Sequence, residues 1–298
     1  MYDYIVIGSG IAGNVFAYEA GKLNKTCVIL EKTPYRIDKT CGGGIPRKAI
    51  DLLKKIHIDI SSIPSNKYSI INGVRCKYKD SIKFKPYDSD SYAIGIRRCV
   101  FDEFLLQNAI KEGAHIAYGE YVTKVDKVDD GYIVNGYCGK NVVYACGARG
   151  LKEQYTLGQS IAISTIIQGD CTLANDVFHY FYLDDTKERY VWAFPVGKML
   201  WNIGLWSRKP YHKIKEEFNL FFESNIKQCF RNGYKVIADA KGEFLGNVNQ
   251  SAIYNARYGI GDFAGLNNIK NGGGITQAIE SAIELSHVLN TRMSCEKS

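Results

Sequence analysis

The chain has 298 residues, of which 38 are Lys or Arg and 31 are Asp or Glu, so its formal net charge is +7 at pH 7. Hydrophobic residues make up 46% of the sequence, an ordinary share for a globular protein with a large core. No run reaches the roughly 20 apolar residues that a transmembrane helix needs. The positive charge fits either an anionic partner (a phosphorylated substrate, an acidic protein or a lipid headgroup in peripheral membrane contact) or basic residues scattered over a solvated surface. We favour the second, because no dense Lys/Arg block of the kind that binds nucleic acid is present.

The nine cysteines show neither C-x-x-C pairs nor a metal-ligand spacing, and the five histidines show no such spacing either. No metal site is therefore predicted. The first motif begins at the first residues of the chain, so we expect no signal peptide ahead of it. Reduced thiols and a cytoplasmic location are expected.

The strongest pattern lies in the first 31 residues. An apolar run at 4–7 predicts a buried parallel strand, and it leads directly into Gly8-Ser9-Gly10-Ile11-Ala12-Gly13, a G-x-G-x-x-G motif. An amphipathic segment at 14–20 predicts a helix, and a second apolar run at 27–30 ends on Glu31. Strand, glycine turn, helix, strand and terminal acid at this spacing predict a dinucleotide-binding unit rather than an ordinary βαβ unit.

Each part of this unit has a physical role in holding a dinucleotide. Gly8 permits the tight turn, Gly10 lets the backbone approach a pyrophosphate, and Gly13 lets helix and strand pack closely. The N-terminus of the helix, which we expect to stop at Gly21, offers unpaired N–H groups to the phosphates. Glu31 at the tip of the second strand can accept a hydrogen bond from a ribose hydroxyl.

The rest of the chain alternates strands with a few helices. Three consecutive glycines, Gly42–Gly44, indicate either a backbone that passes close to a flat ligand or a flexible surface turn. Predicted helices cover residues 46–53, with proline in the first turn, 101–110, 211–230 and 275–289. Predicted strands cover residues 74–78, 82–85, 114–118, 122–128, 132–134, 141–150 (running into a glycine turn), 161–167, 178–183, 190–196 and 200–206.

Two stretches have the texture of antiparallel sheet. The segment 68–92 alternates polar and apolar residues, and the strands between 161 and 206 are rich in aromatic residues. We therefore predict an α/β fold with a Rossmann-like nucleotide-binding domain of residues 1–67, 93–150 and 235–298. An antiparallel-sheet substrate domain of residues 68–92 and 151–234 is interleaved with it.

Three motifs together resemble the FAD-binding fold of the p-hydroxybenzoate hydroxylase type. They are the N-terminal glycine motif, Arg98-x-x-Phe101-Asp102-x-x-Leu105, and Gly261-Asp262-x-x-Gly265 followed by the glycine-rich start of a helix. In that family the Gly-Asp turn contacts the ribityl and pyrophosphate region of FAD. The next helix points its N-terminus at the flavin, where a helix dipole stabilises the reduced anion. The family's Asp-Gly turn after a mid-chain strand is replaced here by Cys146-Gly147.

Two further motifs are similar to those of the geranylgeranyl reductase family. Lys39-Thr40-Cys41-Gly42-Gly43-Gly44 resembles its cysteine–glycine loop. Tyr190-Val191-Trp192-Ala193-Phe194-Pro195, followed by Asn202-Ile203-Gly204, resembles its Y-x-W-x-F-P…G-x-G signature, with Trp206 in place of the second glycine. We expect a short form, without the C-terminal region of many family members. A related signature, W-x-W-x-I-P, is typical of flavin-dependent halogenases.

The resemblance implies a site made of three groups of residues. The aromatic strand residues form either a channel wall or a plain sheet core, and Cys41 is either a proton donor beside the flavin or a small packing residue. The catalytic candidates are Cys41, Tyr190 and Trp192, and the substrate-binding candidates are Tyr190, Trp192, Phe194 and Trp206. The candidates for binding FAD non-covalently are Gly8, Gly10, Ile11, Ala12, Gly13, Glu31, Lys32, Cys41, Gly42, Gly43, Gly44, Arg98, Gly147, Gly261, Asp262, Gly272, Gly273, Gly274 and Ile275.

The function implied is reduction of C=C bonds in an isoprenoid or another small apolar substrate. Reduced FAD delivers a hydride to one alkene carbon, and an acid or water protonates the other. Two alternatives stay open: a monooxygenase or halogenase that activates oxygen at the flavin, and an FAD-binding protein without catalytic activity. No second dinucleotide motif is present, so we expect an external reductant, either NAD(P)H or a ferredoxin-like electron-donor protein.

Overall fold

The computed structural model of the chain describes residues 1–34, 37–89, 91–148, 160–208, 212–245, 258–268 and 272–295. The helices are α1 (Ile11–Lys22), α2 (Arg47–Lys55), α3 (Arg98–Lys111), α4 (Ile214–Phe221) and α5 (Ile275–Cys295). The strands are β1 (Tyr2–Ile7), β2 (Cys27–Glu31), β3 (Gly44–Ile45), β4 (Tyr68–Ile71), β5 (Gly73–Tyr78), β6 (Ser81–Pro86), β7 (Ala93–Ile96), β8 (His115–Tyr118), β9 (Asp126–Val128), β10 (Gly131–Val134), β11 (Tyr137–Tyr144), β12 (Ser160–Gln168), β13 (Val177–Tyr182), β14 (Arg189–Pro195), β15 (Leu200–Ser207) and β16 (Lys235–Leu245).

The first sheet carries the predicted Rossmann-like unit. Its strand order is β8-β2-β1-β11-β10-β9. Strands β8, β2, β1 and β11 are parallel to one another, β10 is antiparallel to β11, and β9 is antiparallel to β10. Residues 4–7 of β1 and 27–30 of β2 are buried on both faces, which explains why these runs are continuously apolar. Helices α1, α3 and α5 pack together on one face around a core that includes Phe16 and Phe101.

The second sheet is the predicted aromatic one, with the order β16-β12-β15-β14-β13-β5-β6. Neighbouring strands are antiparallel except for β13 and β5, which are parallel. One face packs against α4 through an apolar cluster that includes Ile203, Leu205 and Phe218. The opposite face carries most of the large aromatic side chains and packs against Ile71 of β4 and Ala93 of β7. The α/β fold with an interleaved antiparallel sheet is confirmed.

A small third sheet, β3-β7-β4, contacts the second sheet through β7 and β14. The sequence analysis assigned residues 68–71 to the substrate sheet, but β4 pairs with β7 and not with β5. The backbone of β7 runs against the end of β14: a Cβ added to Gly95 would lie 1.9 Å from the carbonyl oxygen of Pro195. The glycine therefore allows a backbone contact that any larger residue would block.

The structure also corrects a second domain boundary. Residues from 235 onward were assigned to the nucleotide-binding domain, but β16 (Lys235–Leu245) pairs along its length with β12 in the second sheet. The chain is back at the first sheet by Tyr258, whose carbonyl oxygen accepts a hydrogen bond from the N–H of Tyr144 at 2.8 Å. The strand was missed because its pattern, Lys-Val-Ile-Ala-Asp-Ala-Lys-Gly, carries polar residues typical of a sheet edge.

Several predicted elements have different limits in the structure. Only residues 126–128 of the strand predicted at 122–128 pair with a neighbour. The helix predicted at 211–230 is regular only over α4 and continues as a wider π turn at Phe222–Ile226 and a 3-10 turn at Lys227–Cys229. Pro46 precedes α2 as its N-cap. The strand predicted at 141–150 ends at Tyr144, and α5 extends past Leu289 to Cys295. Residues 149–150 and 211 of these predictions lie outside the described residues.

Gly21 does not end the first helix as predicted, because α1 continues through it to Lys22. A Cβ added to Gly21 would lie 2.3 Å from the carbonyl oxygen of Glu112, at the end of α3. The glycine thus serves the close packing of two helices rather than a helix stop.

The glycines of the first turn give a testable contrast in stability. A Cβ added to Gly13 would lie 2.1 Å from the carbonyl oxygen of Gly8, whereas a Cβ added to Gly10 would meet nothing within 4 Å. We expect Gly13→Ala to lower the free energy of unfolding by about 1–3 kcal/mol or more, the usual cost of overpacking. Gly10→Ala, at a φ of −85° that alanine adopts freely, serves as the control. Urea unfolding of the two apoproteins checks this, and equal stabilities would contradict it.

Candidate functional site

One cleft of about 940 Å³ collects most of the predicted site residues. It lies where the carboxyl ends of β1 and β2 face the aromatic side of the second sheet, the usual ligand position in an open α/β fold. Four segments line it: the glycine turn 8–12, the cysteine–glycine loop 39–44, the start of α5, and the aromatic strands β13–β15.

The glycine turn leaves open space where a pyrophosphate binds in this type of fold. Gly8 has a φ of +103°, which favours glycine, and an added Cβ would lie 2.7 Å from the carbonyl oxygen of Ala145. Asn14 of α1 holds the turn on its buried side. Its Nδ2 donates to the carbonyl oxygens of Ser9 (3.2 Å) and Asp102 (2.9 Å). The turn is therefore held rigidly while its outer side stays free for a ligand.

Glu31 stands at the tip of β2, as the sequence predicts. Its Oε2 accepts a hydrogen bond from the N–H of Ser9 at 2.9 Å. Its Oε1 accepts from the N–H and Oγ of Thr33 at 3.0 and 2.9 Å. These bonds orient the carboxylate beside the glycine turn, where it can still accept from a ribose hydroxyl through its remaining lone pairs.

Lys39 and Asp262 form an ion pair across the cleft. The Nζ of Lys39 lies 3.2 Å from Oδ2 of Asp262, and the negative charge of Asp262 raises the pKa of Lys39 despite the opposing effect of burial. The pair joins the cysteine–glycine loop to the Gly-Asp turn. A Cβ added to Gly274 would lie 2.7 Å from Oδ1 of Asp262, so the glycines before α5 let this carboxylate reach the start of the helix.

A buried ion pair forms the floor beside Cys41. Arg98 donates from Nε and Nη2 to the two carboxylate oxygens of Asp102, both at 2.8 Å, in the bidentate geometry that gives strong pairs. Burial lowers the pKa of the Arg98 guanidinium, but Asp102 and the Cys41 sulfur raise it by more, so the pKa of Arg98 lies above its usual value. The sulfur also accepts a hydrogen bond from the N–H of Gly43 at 3.5 Å. Cys41 therefore lies next to a permanent positive charge.

Asn202 connects the cysteine loop to the aromatic sheet. Its Oδ1 accepts from Nε1 of Trp192 at 2.9 Å, and its Nδ2 donates to the carbonyl oxygen of Cys41 at 2.7 Å. Two glycines make this arrangement possible. A Cβ added to Gly204 would lie 2.1 Å from the Trp192 ring, and one added to Gly42 would lie 2.7 Å from the Phe194 ring.

Tyr190, Trp192 and Phe194 line the cleft from one face of β14, as their alternation predicts. They pack on aromatic residues of β13: the Phe194 ring centroid lies 4.2 Å from that of Phe178 and 5.1 Å from that of Tyr180. Burial raises the pKa of both Tyr180 and Tyr190 above the usual range. Both hydroxyls therefore stay protonated at neutral pH, and the wall is uncharged.

Trp206 occupies the place where the family pattern has its second glycine. It is paired opposite Tyr190, with ring centroids 5.2 Å apart, and only 2% of the residue is exposed. A Cβ added to Gly272 would lie 2.8 Å from its Nε1. The indole thus fills the gap between the sheet and the loop before α5 and narrows the cleft at that point.

The residues present fit FAD. Two buried polar atoms that line the cleft, Nε1 of Trp206 and Oδ1 of Asn267, have no hydrogen-bond partner among the described residues. A buried donor and acceptor left open are costly unless a ligand completes them, and the flavin ring edge offers both kinds of group. The open glycine turn at Gly10 and the oriented carboxylate of Glu31 suit the pyrophosphate and the ribose.

Of the predicted site residues, Gly13 and Gly261 do not line the cleft. Gly13 packs against the glycine turn, and a Cβ added to Gly261 would lie 3.1 Å from the Cβ of Ala12. Both glycines therefore support the residues that line the cleft without facing it themselves. The prediction omitted four residues that the structure brings to the site or its support: Lys39, Asp102, Asn202 and Asn267. A signal existed for Asp102, because Arg98 and Asp102 have the i, i+4 spacing of a helical ion pair. Nothing in the sequence indicated that Asn202 joins two domains.

Comparison with known proteins bears on the family. No family model matches the chain. The digeranylgeranylglycerophospholipid reductase of Methanococcus vannielii is 25% identical over 308 residues, which cover 95% of this chain and 75% of that protein. Digeranylgeranylglycerophospholipid reductase 3 of Methanosphaera stadtmanae is 27% identical, over 94% of this chain and 75% of its own length.

Among solved structures, a geranylgeranyl bacteriochlorophyll reductase-like protein from Thermoplasma acidophilum has a TM-score of 0.80 at 21% identity, covering 99% of this chain and 79% of that one. The resemblance to the geranylgeranyl reductase family is confirmed. A variant of the halogenase PltM in complex with FAD shares the fold at lower identity, with a TM-score of 0.75 at 17% identity, covering 99% of this chain and 70% of that one. Both neighbours share the predicted FAD-binding fold.

None of the helices in the described ranges is both long enough and apolar enough to cross a bilayer.

Glu31 gives a direct test of the nucleotide end of this site. We expect Glu31→Ala to lose a charge-assisted hydrogen bond to the ribose, which costs about 1.5–3 kcal/mol and corresponds to a roughly ten- to hundred-fold weaker FAD affinity. Glu31→Gln, which keeps one acceptor oxygen and the side-chain shape, should lose less. Quenching of FAD fluorescence on titration into apoprotein measures both. An unchanged dissociation constant in Glu31→Ala would show that the carboxylate does not reach the cofactor.

Proposed function

We propose that this chain is an FAD-dependent reductase that adds hydrogen across C=C bonds of a geranylgeranyl-type isoprenoid or another apolar chain. One observation carries the proposal. A single cleft joins a complete nucleotide-binding turn to an uncharged aromatic wall, and Cys41 lies at the junction, tied to that wall through Asn202. The digeranylgeranylglycerophospholipid reductases among the relatives support the substrate class.

The residues divide into two groups by chemistry. Gly10, Glu31 and the start of α5 hold the cofactor, with Lys39 and Asp262 between them. Tyr190, Trp192 and Phe194 offer apolar surface with no ionised group, which suits a hydrocarbon and excludes water. Holding an alkene in one orientation against the reacting group is itself a large part of catalysis.

Reduced FAD, when bound, supplies the hydride and with it the two electrons that the C=C bond needs. The remaining requirement is one proton for the second carbon, and we assign it to the thiol of Cys41. The sulfur left negative by this transfer is stabilised by the N–H of Gly43 and by the Arg98 guanidinium. A proton from solvent then restores the thiol. Tyr190 keeps its own proton and serves as wall.

The electron donor is proposed to be external, either NAD(P)H that binds transiently or a ferredoxin-like protein. Anaerobic mixing of the FAD-loaded protein with NADPH distinguishes the two. Bleaching of the flavin absorbance within turnover times favours the nucleotide, and its persistence favours a protein donor.

A half-reaction tests the proposed activity without the natural donor. The FAD-loaded protein is reduced with dithionite under anaerobic conditions and mixed with a detergent-dispersed geranylgeranyl lipid. We expect the flavin to reoxidise and the lipid to gain two hydrogens for each bond reduced, as read by mass spectrometry. If the flavin stays reduced until oxygen is admitted and then reoxidises rapidly only with substrate present, a monooxygenase or halogenase is indicated instead. Reoxidation that no alkene accelerates would indicate a non-catalytic flavoprotein.

Trp192 tests the role of the wall. We expect Trp192→Ala to keep its FAD content while binding the lipid substrate at least about tenfold more weakly, because the loss of a buried aromatic contact costs on the order of 1–3 kcal/mol. Trp192→Phe keeps apolar surface but loses the hydrogen bond to Asn202. It therefore separates the contribution of aromatic contact to substrate binding from that of the hydrogen bond. If Trp192→Ala instead loses FAD and binds substrate normally, the assignment of β14 to the substrate is wrong.

Cys41 tests the proton donor. Cys41→Ser preserves the shape of the side chain but gives a far weaker acid. We expect dithionite or donor reduction of the flavin to proceed at the native rate, while reoxidation by the alkene slows by about a hundredfold or more, the usual loss when a general acid is removed. Cys41→Ala should resemble Cys41→Ser. Native rates in both variants would leave Cys41 as a packing residue.

A further inference from the structure

The outer hairpin of the second sheet, β5–β6, is unusual for a sheet edge. All six residues of β6 are exposed, including the large apolar side chains Ile82 and Phe84, at 62% and 50%. Edge strands commonly carry lysine to discourage pairing with other chains, and Lys83 and Lys85 would serve that purpose. Exposed Ile82 and Phe84 work against it, because an apolar edge invites association.

The hairpin is also strongly basic. It carries Arg75, Lys77, Lys79, Lys83 and Lys85 against one acid, Asp80, in its turn. Lys79 pairs with Asp185. Lys77, Lys83 and Lys85 have no acidic group within 4.0 Å in the described part of the chain. Unpaired lysines beside exposed apolar side chains are the combination that binds an anionic bilayer surface.

The hairpin continues the aromatic side of the cleft. Trp192 is paired with Tyr180, Tyr180 with Cys76, and Cys76 with Lys83. Because directly paired residues project to the same side of a sheet, one row of side chains leads from the cleft wall to a lysine. A parallel row runs from Phe178 through Val74 to Lys85.

We propose that the β5–β6 hairpin docks this protein on an anionic lipid bilayer, with Ile82 and Phe84 in the interface and the lysines on the lipid phosphates. Ile82 and Phe84 are paired with Lys77 and Arg75, so they project from the face opposite the two rows, and the edge strand itself must rest on the bilayer. An apolar substrate would then pass from the bilayer along the two rows to the cleft. This second step rests on the proposed function, but the docking itself does not.

An acidic electron-donor protein is the other partner that a basic surface suits, and the position of the hairpin disfavours it. Trp206, which touches the loop before α5, lies on β15, four strands away from β6. At a strand spacing of about 4.8 Å the separation is roughly 19 Å. A donor docked on the hairpin would be far from the cofactor end of the cleft, whereas a bilayer there would face the substrate end.

Vesicle flotation of the FAD-loaded protein tests the docking. We expect binding to vesicles of phosphatidylcholine mixed equally with phosphatidylglycerol and little binding to phosphatidylcholine alone. The double variant Lys83→Gln/Lys85→Gln should partition roughly 30-fold less, and Ile82→Ser/Phe84→Ser should also lose binding. The matched controls are Lys54→Gln/Lys55→Gln, exposed at the end of α2, and Leu220→Ser, 72% exposed on α4. Both should bind as the native protein does.

A tryptophan at position 84 reports insertion directly. The three native tryptophans are buried, at 2–4% exposure, so Phe84→Trp adds the one exposed indole. Its emission should shift to shorter wavelength when anionic vesicles are added. No binding of the native protein, equal binding by the hairpin variants, or bound Phe84→Trp without a shift would each overturn the proposal.

The docking and the proposed reductase activity fail separately. If the hairpin variants reduce detergent-dispersed lipid at the native rate but lose activity on lipid embedded in vesicles, the proposal holds. If the native protein binds vesicles but reduces neither form, the docking stands and the reductase assignment fails. If the hairpin variants bind vesicles normally but lose reduction by an acidic donor protein, the surface is a protein interface and the proposal is wrong.

Discussion

The contact on which the site depends is the one between the cysteine–glycine loop and the aromatic sheet. Here two parts of the chain far apart in sequence meet through a buried amide, Asn202, which bonds both the Trp192 indole and the Cys41 carbonyl. A buried amide that loses one partner costs more than the bond it made. The position of the loop and the position of the wall are therefore set together, and neither can shift without breaking the other's hydrogen bond.

Small residues make this contact possible at several points. Gly42 faces the Phe194 ring, Gly204 lies under the Trp192 ring, and Gly95 meets the Pro195 carbonyl oxygen, each at a separation that a Cβ would violate. Electrostatics support the same region, since Arg98 and Asp102 are both more than nine-tenths buried and satisfy one another with two hydrogen bonds. A buried pair of this kind adds little net stability, but removing one partner leaves an uncompensated charge. We therefore interpret the pair as a device that holds a positive charge beside Cys41.

The parts that the sequence predicts well are those set by local interactions. The first βαβ unit, the parallel strands and the alternation on β14 follow from patterns of a few residues, because strand and helix periodicity decide which side is buried. The failures are of another kind. The strand β16 and the membership of β4 in the third sheet depend on which distant strand is available as a partner, and Gly21 matches a helix stop while serving packing against Glu112. In the site, Lys39 and Asp262 are more than two hundred residues apart in sequence, so no spacing rule could pair them.

The two ends of the cleft differ in the same way, by whether local or distant interactions build them. The cofactor end is built from groups that any dinucleotide fold supplies: a glycine turn, a carboxylate at a strand tip and a helix start. The substrate end is built by one sheet, in which a row of paired residues leads from Trp192 through Tyr180 and Cys76 to Lys83 of the exposed hairpin. Beside the loop before α5, Trp206 takes the place of a small residue of the family pattern, and its indole nitrogen has no hydrogen-bond partner among the described residues. A buried donor left open costs free energy until a bound molecule accepts its hydrogen bond, so we expect the shape of the substrate wall to be coupled to the bound cofactor.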